Sequence, residues 1–183
     1  KETIKKIDEL GHSMFAEIFG DPIQNNMNWQ LKNLGNVLNL ITYGLTVRPK
    51  YVSTGVPIIS AKEIRSGSID IENARKISET DYDNISEKGK PVLDDILFSK
   101  TGSIGYCALV NTNEKFVITQ NAARLNFKET FVNIIFALYY LKSRSIQTLA
   151  KKSAHGNAIK DLQLSVMKKF PFPLPPLSLQ KQF

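Results

Sequence analysis

The feature that most limits how this chain can fold is a run of closely spaced prolines near its end. Pro171, Pro173, Pro175 and Pro176 lie within a few residues of one another. Proline fixes φ and has no backbone N–H, so these residues cannot lie inside a helix or a central strand. The run therefore predicts a stiff, extended connector. A new helix is expected to follow it, with Ser178 as the capping residue.

The opposite end of the chain has the spacing of a helix that needs a partner. Between residues 1 and 19, apolar residues recur at alternating three- and four-residue steps, the pattern of a coiled-coil seam. The seam residues are Ile4, Ile7, Gly11, Met14 and Ile18. Because an isolated helix of this length is marginal in water, the apolar members of the seam are predicted to pack against a second helix. That helix is either the one at Ser178 or one from a second copy of the chain. No cap signal precedes Ile4, and we expect the end of a longer helix.

Between these helices the hydrophobic spacing changes to that of strands and then back again. Short apolar runs alternate with glycines from residue 29 to 127, which is typical of a twisted, β-rich region with long loops. The predicted strands are 56–60, 95–99, 106–110, 116–119 and 124–127. Residues 131–152 return to helical spacing, with Thr130 as the expected N-cap.

These patterns together predict an α+β fold in three parts. Residues 1–20 form the end of a helix with coiled-coil spacing. Residues 21–173 form one β-rich domain with packed helices. Residues 174–183 begin the next long helix. A length of 183 residues suits one domain with such appendages.

The positive charge of the chain is concentrated in one stretch. Of a net charge of +7, nearly all lies between residues 142 and 169, where Asp161 is the only acidic residue. The basic residues of this stretch are Lys142, Arg144, Lys151, Lys152, Lys160, Lys168 and Lys169. Such a segment indicates a polyanionic partner, most often nucleic acid. A solvated helix face that only aids solubility is the alternative reading.

Several kinds of catalytic chemistry lack their residues in this sequence. No lysine follows an acidic residue at two positions, as metal-dependent nucleases require, and Gly89-Lys90 is followed by proline rather than by a Walker hydroxyl. Pro175-Pro176 lacks the flanking residues of an amino-methyltransferase motif. With only Cys107, His12 and His155, a zinc or iron site has almost no ligands. We therefore expect a binding protein without catalytic residues or a metal.

The sequence also predicts where the protein resides. The single cysteine allows no disulfide framework. The strongest apolar run, residues 131–141, is too short to span a bilayer, and no signal-peptide core follows the first lysines. A soluble, cytoplasmic protein without a membrane partner is expected.

The segment from Lys100 to Gly105 combines two glycines, two hydroxyl side chains and a lysine. It is predicted to form the hairpin turn between the strands at 95–99 and 106–110. Its donors could also face a phosphate, and a rigid turn is a suitable place for a DNA-contacting residue. Asp94 and Asp95, just before the first strand, are interpreted as a solvated turn rather than a metal site.

Several short motifs, in this order and spacing, resemble one known family. The clearest is Pro-Leu-Pro-Pro-Leu-Ser-Leu-Gln-Lys at residues 173–181. The others are Phe-Gly-Asp-Pro at 19–22 with Trp29 and Leu34, Gly44-Leu45-Thr46, Val56 to Ser60, Asp95 to Gly102 with Ile104-Gly105, and Gln120-Asn121. Over essentially its whole length the chain resembles the specificity subunits of type I restriction–modification enzymes.

The resemblance implies a division of labour. In that family the specificity subunit carries two target-recognition domains separated by two long antiparallel helices, and each domain reads half of a split DNA site. The partners would be double-stranded DNA and the methyltransferase (M) and restriction (R) subunits. S-adenosylmethionine, ATP and magnesium would act on those subunits, so no cofactor is expected on this chain. A homodimer formed through the helical ends is a further expectation.

Two sets of DNA-contacting residues are predicted on this basis. Loop residues with donors or acceptors are candidates for reading bases: Arg48, Lys50, Lys62, Arg65, Lys100, Thr101 and Ser103. Residues of the basic stretch are candidates for phosphate contacts: Lys142, Arg144, Lys151, Lys152, His155 and Lys160. The subunit-interface candidates are Ile4, Ile7, Met14 and Ile18. Two alternatives stay open, namely the recognition region of a fused restriction–methylation enzyme and a helical interaction scaffold that does not bind DNA.

Overall fold

The computed structural model describes the backbone of residues 2–183 and the side chains from residue 6 onward. Its helices are α1 Glu2–Phe19, α2 Glu79–Asp83, α3 Ile134–Lys142, α4 Arg144–Lys152, α5 Leu164–Met167 and α6 Leu177–Gln182. Its strands are β1 Gln30–Asn33, β2 Leu38–Tyr43, β3 Val56–Ile59, β4 Arg75–Ile77, β5 Ile96–Ser99, β6 Cys107–Leu109, β7 Val117–Ile118, β8 Ala122–Phe127 and β9 Pro171–Leu174. Short 3-10 helices lie at Leu34–Val37 and Glu87–Gly89.

The strands form three small sheets. The largest is antiparallel throughout, in the order β2-β8-β5-β6. A second sheet has the order β4-β3-β7, with β3 and β7 parallel, and β1 pairs with β9 in the third. This segregated mixture of helices and mostly antiparallel strands is the α+β fold that the sequence predicts.

All five predicted strands are present, each within a few residues of its expected bounds. β5 is recognisable from sequence because it is buried along its length and is therefore nearly continuous in apolar residues. β8 is also largely buried, although Arg124 and Asn126 interrupt its apolar residues. The sequence did not predict the other four strands, which are β1, β2, β4 and β9. β1 has the sequence Gln-Leu-Lys-Asn and is exposed along its length, so no alternation marks it.

The proline-rich segment is extended, as expected, and it also serves as a strand. Pro171 and Pro173 of β9 lie opposite Asn33 and Leu31 of β1. Residues two apart on a strand face the same way, so the prolines fall together and leave the N–H groups of the intervening residues for pairing. Because the sheet has only two strands, β9 is an edge strand, where proline is tolerated.

Two predicted helix caps are wrong. Asn133, not Thr130, caps α3, and its side chain accepts hydrogen bonds from the N–H groups of Ile135 at 2.9 Å and Phe136 at 3.2 Å. Asn is as effective a cap as Thr, and the backbone turn at 128–132 delays the start of the helix. Ser178 lies inside α6, which begins after Pro176 because that residue's fixed φ already suits a helix start.

The helix expected over residues 131–152 is divided in two by the extended backbone of Ser143. Phe136 and Tyr140 of α3 are fully buried in the main core. That core lies between the large sheet and helices α1, α3 and α4.

Helix α1 packs on α3 through a different face from the predicted seam. Phe15 and Phe19 are buried, and the ring of Phe19 lies 4.8 Å from that of Phe136. Ile18 packs partly against the core, while Ile7 and Met14 remain 63% and 40% exposed. The prediction that Ile7 and Met14 pack against α6 is thus wrong, because the larger aromatic side chains of α1 make that contact instead. The Ile4 side chain lies outside the described residues.

The interpretation of Asp94 and Asp95 as a solvated turn is correct for Asp94 but not for Asp95. Asp94 is exposed, but Asp95 is fully buried. Asp95 accepts from the guanidinium of Arg124 at 2.5 Å and from the amide of Asn126 at 2.8 Å. Arg124 also donates to backbone carbonyls of the 87–90 turn. A buried, fully hydrogen-bonded ion pair of this kind is structural, so Asp95 does not belong to a solvated turn.

Candidate nucleic-acid interface

The turn between β5 and β6 is the hairpin turn that the sequence predicts, and it is held from two sides. Gly102 and Gly105 have φ of +76° and +110°, which side chains other than glycine rarely adopt. The amide of Gln147 in α4 donates to the carbonyl of Gly105 at 2.7 Å. A Cβ on Gly105 would lie 2.0 Å from the Gln147 Oε1 atom, so a larger residue there would displace the Gln147 amide from its contact with the turn.

A second loop, residues 155–161, lies against this turn. The backbones of His155 and Asp161 pair with each other across the base of the loop. The N–H of Gly102 donates to the Lys160 carbonyl at 2.8 Å, and the side chains of Lys100 and Thr101 both donate to Oδ1 of Asp161. The turn and the loop therefore form one hydrogen-bonded unit.

Two polar clefts flank this unit. The first has a volume of about 330 Å³ and is called here the lysine cleft; it is lined by Gly102, Ser103, Ile104, Gly105, Tyr106, Gln147, Lys151 and Lys160. The second has a volume of about 450 Å³ and is called here the amide cleft; it is lined by Tyr43, Lys100, Thr101, Gln120, Asn121, Ile159 and Asp161. Donors, acceptors and a cationic rim thus lie side by side on a rigid support.

The lysine cleft brings together residues from the two predicted sets. Ser103, a base-reading candidate, lies in the same cleft as the phosphate candidates Lys151 and Lys160. The guanidinium carbon of Arg65 is 5.8 Å from the centre of the Tyr106 ring, which places Arg65 beside this cleft. Lys62 is exposed in the same loop as Arg65.

Lys100 and Thr101 are less accessible than expected. Lys100 is only 7% exposed, and its ammonium group pairs with Asp161. The expectation of an exposed lysine is wrong because the 155–161 loop covers the turn, a contact between residues 61 positions apart. Base reading by Lys100 stays a prediction, and its observed contacts hold the turn and the loop together.

Arg48 and Lys50 are exposed on the side of the small β3–β4 sheet. Arg48 and Arg75 lie against the ring of Tyr51, with guanidinium carbons 5.8 and 4.3 Å from the ring centre. Neither Arg48 nor Lys50 lines the lysine cleft or the amide cleft.

The phosphate candidates are divided among different surfaces. Lys142 pairs with Asp8 of α1 at 3.0 Å, which neutralises its charge locally. Arg144 and Lys152 border a hollow beside Asp21, on the side of α4 away from the lysine cleft. His155 is exposed near the start of the 155–161 loop. Of the six phosphate candidates, Lys151 and Lys160 line the lysine cleft.

Several cleft residues were not found by sequence reasoning. Tyr106 directly follows the predicted turn, and this position could have identified it as a cleft residue. Gln147 is one polar residue on a helix, and Asp161 is the one acidic residue of a basic stretch. No local pattern marks either as part of a cleft, because their neighbours there are distant in sequence.

Two ionisable groups near the clefts have shifted pKa values. Partial burial raises the pKa of Asp161, but hydrogen bonds from Lys100 and Thr101 and the charge of Lys100 outweigh it, so the pKa lies below its usual value. Burial raises the pKa of the Cys107 thiol to about 12, which keeps it protonated. In the described part of the chain, no three His, Cys, Asp or Glu side chains cluster as a metal site would require.

An α+β domain that presents rigid polar clefts with a lysine rim has the features of a nucleic-acid recognition module. The family model described as the type I restriction modification DNA specificity domain matches residues 26–183. The chain belongs to this family.

Curated proteins similar to this chain include specificity subunits. The putative MjaX type I restriction enzyme specificity subunit of Methanocaldococcus jannaschii is 29% identical over an alignment of 163 residues, which covers 85% of this chain and 37% of that protein. The EcoBI specificity subunit of Escherichia coli is 27% identical over 158 residues, which are 85% of this chain and 33% of that protein. The chain thus spans about a third of the length of these relatives.

Solved structures agree on the fold. A structure concerned with complex assembly and conformational transition of the type I R-M system has a TM-score of 0.71, with 19% identity and coverage of 99% of this chain and 43% of its own. The HsdS subunit from Thermoanaerobacter tengcongensis has a TM-score of 0.66, with 20% identity and coverage of 99% of this chain and 42% of its own.

Within the described residues, no helix is both long and apolar enough to cross a membrane.

Proposed function

We propose that this chain binds double-stranded DNA sequence-specifically, as one target-recognition domain of a type I restriction–modification specificity subunit. In this role it directs methylation and cleavage by M and R subunits, which carry S-adenosylmethionine, ATP and magnesium. The observation that supports this most directly is the lysine cleft. It places exposed Ser103 and the ring of Tyr106 beside two lysines from separate parts of the chain.

Each part of the lysine cleft has a separate task in DNA binding. Lys151 and Lys160 neutralise phosphates and set the register on the duplex, which requires charge but no particular base. Ser103, with Arg65 and Lys62 from the adjacent loop, reaches base edges in the major groove, where each base pair presents a distinct pattern of donors and acceptors. Gln147 keeps the turn that carries Ser103 in place.

The exposed apolar residues of α1 suit the expected assembly. Ile7, Leu10 and Met14 lie on a helix whose opposite face is already buried against α3. A second helix packed on these residues would complete a coiled-coil pair, supplied by the rest of a specificity subunit or by a second copy of this chain.

The test is a selection experiment on the complete assembly of this chain with its M subunits. The assembly is incubated with a random duplex pool, and bound sequences are recovered and sequenced. A single enriched half-site attributable to this chain is expected, and exchanging residues 21–173 for those of another specificity subunit should change only that half-site. Enrichment of no sequence, or a half-site that survives the exchange, contradicts the proposal.

A further inference from the structure

The amide cleft contains three polar side chains whose hydrogen-bonding capacity is wholly or partly unused among the described residues. Gln120 is exposed, Asn121 is half-buried, and both line the cleft. None of the described residues hydrogen-bonds to their side-chain amides. Asp161 accepts from Lys100 and Thr101 at Oδ1, and no described residue donates to its Oδ2 atom. The cleft therefore offers two amides and one carboxylate oxygen to a ligand.

These groups are carried by rigid backbone. The N–H of Gln120 donates to the Leu45 carbonyl at 2.9 Å, and the Asn121 carbonyl accepts from Lys100 at 2.9 Å. The next residue, Ala122, begins the buried strand β8. Asp161 is fixed by its two side-chain contacts and by backbone pairing with His155. These side chains therefore have a fixed backbone and lose little conformational freedom when a ligand binds, which favours selective recognition.

The charge of Asp161 restricts which part of DNA can occupy the cleft. Its pKa lies below the usual value, so at neutral pH the group is a carboxylate that accepts hydrogen bonds and cannot donate them. Because Lys100 neutralises this carboxylate, the ion pair has no net attraction for a phosphate. Base edges present the required donors, namely the exocyclic amino groups of cytosine and adenine in the major groove.

We propose that the amide cleft is a base-reading site, in which Asp161 accepts a hydrogen bond from the N4 amino group of a cytosine and Gln120 and Asn121 contact the adjoining base edges. Glutamine and asparagine pair bidentately with adenine, so adenine is the base expected beside them. This inference rests on the proposed function, since it names how that DNA is read. Lys100 and Thr101 then act as positioning residues that orient the carboxylate.

Asp161→Asn and Gln120→Ala, each in the complete methyltransferase assembly, test the proposal. The Asp161→Asn variant keeps an oxygen for Lys100 and Thr101 but adds a donor, so one position of the methylated consensus should lose its preference for cytosine by about fivefold or more. Gln120→Ala should relax a different position by a similar factor. The Gln120 side chain is exposed and makes no hydrogen bond to the described residues, so this variant is expected to fold normally. Methylated sites are sequenced in a host that expresses each variant.

Asp94→Asn and Gln30→Ala are the matched controls, because both side chains are exposed and lie outside both clefts. Both controls should methylate the wild-type consensus. If Asp161→Asn and Gln120→Ala also keep that consensus, with activity either lowered or unchanged, the amide cleft does not read bases. If the wild-type assembly itself methylates no defined sequence, the proposed function fails instead, and the two failures are thus distinguishable.

Discussion

Lys100 and Asp161 form an ion pair that joins the hairpin turn after β5 to the loop after α4. The pair is reinforced by the Thr101 hydroxyl and by backbone hydrogen bonds on both sides of it. It also forms the boundary between the lysine cleft and the amide cleft, since the same turn and loop line both. The geometry of the whole candidate interface therefore depends on a contact between two segments that are far apart in the chain.

The lysines of the lysine cleft should act on DNA through phosphates. Lys151→Ala and Lys160→Ala should each reduce the slope of log affinity against log salt by about 0.9. The reason is that DNA binding releases fewer counterions when one phosphate contact is missing. Binding to specific and random duplexes should weaken together. Lys169→Ala, an exposed lysine outside both clefts, should leave the slope unchanged. The measurement is a titration of the complete assembly with DNA at several salt concentrations, and an unchanged slope in both cleft variants would assign these lysines to ordinary solvated surface.

Arg65 should contribute to sequence choice and Lys151 should not. Arg65→Ala removes a guanidinium beside Tyr106, and a base-edge contact of this kind is worth about 1–3 kcal/mol of discrimination. The methylated consensus should relax at one position. Lys151→Ala should lower methylation evenly across sites. Sequencing of methylated sites in the host compares the two, and an unaltered consensus in Arg65→Ala would remove Arg65 from base reading.

Arg124 should be essential for stability. Arg124→Ala leaves the carboxylate of Asp95 buried without its charged partner. Breaking a buried ion pair in this way lowers the free energy of unfolding by about 3–5 kcal/mol. Arg144→Ala removes an exposed arginine and should change the free energy of unfolding by no more than about 0.5 kcal/mol. Urea denaturation measures both, and equal effects of the two variants would show that the buried pair has no special importance.

The Lys100–Asp161 pair should make stability depend on acidity. The pKa of Asp161 in the folded chain lies below its ordinary value of 3.8. Its stabilising contribution is therefore complete above that value and is lost as the pH falls through the lower, folded value. Lys100→Met should melt at a lower temperature than wild type near pH 7, and the difference should shrink below about pH 4. Thermal melts across this range test it, and a constant difference would refute an electrostatic origin.

Helix α1 should carry two separate faces. Phe15→Ala should destabilise the chain itself by about 3–5 kcal/mol, because the ring is buried against α3. Ile7→Asp should leave the melting temperature of the dilute chain unchanged, since Ile7 is exposed, but should reduce association through α1. Ser13→Asp introduces the same charge at an exposed polar position and serves as the control. Sedimentation of wild type, Ile7→Asp and Ser13→Asp measures their mass, and identical masses would show that Ile7 is not at an interface.

Local features of this protein could be read from its sequence. Gly102 and Gly105 marked the hairpin turn because glycine provides positive φ, and β5 was visible as an apolar run before that turn. Signals of this kind depend on residues that are neighbours in the chain. The motifs that indicated the family are likewise short and contiguous. The sequence also located the excess positive charge, although not the surface on which each lysine lies.

Contacts between distant segments were decided only by the tertiary structure. The sequence could not show that Asp161 lies against Lys100, that Gln147 holds Gly105, or that Gln120 shares a cleft with Asp161. Lys151 and Lys152 are adjacent in sequence but face different surfaces of α4, because consecutive residues of a helix point in different directions. The sequence by itself indicated five of the strands, the family and the location of the excess positive charge. Which side chains meet in each cleft was decided by packing, which joins residues that no local pattern connects.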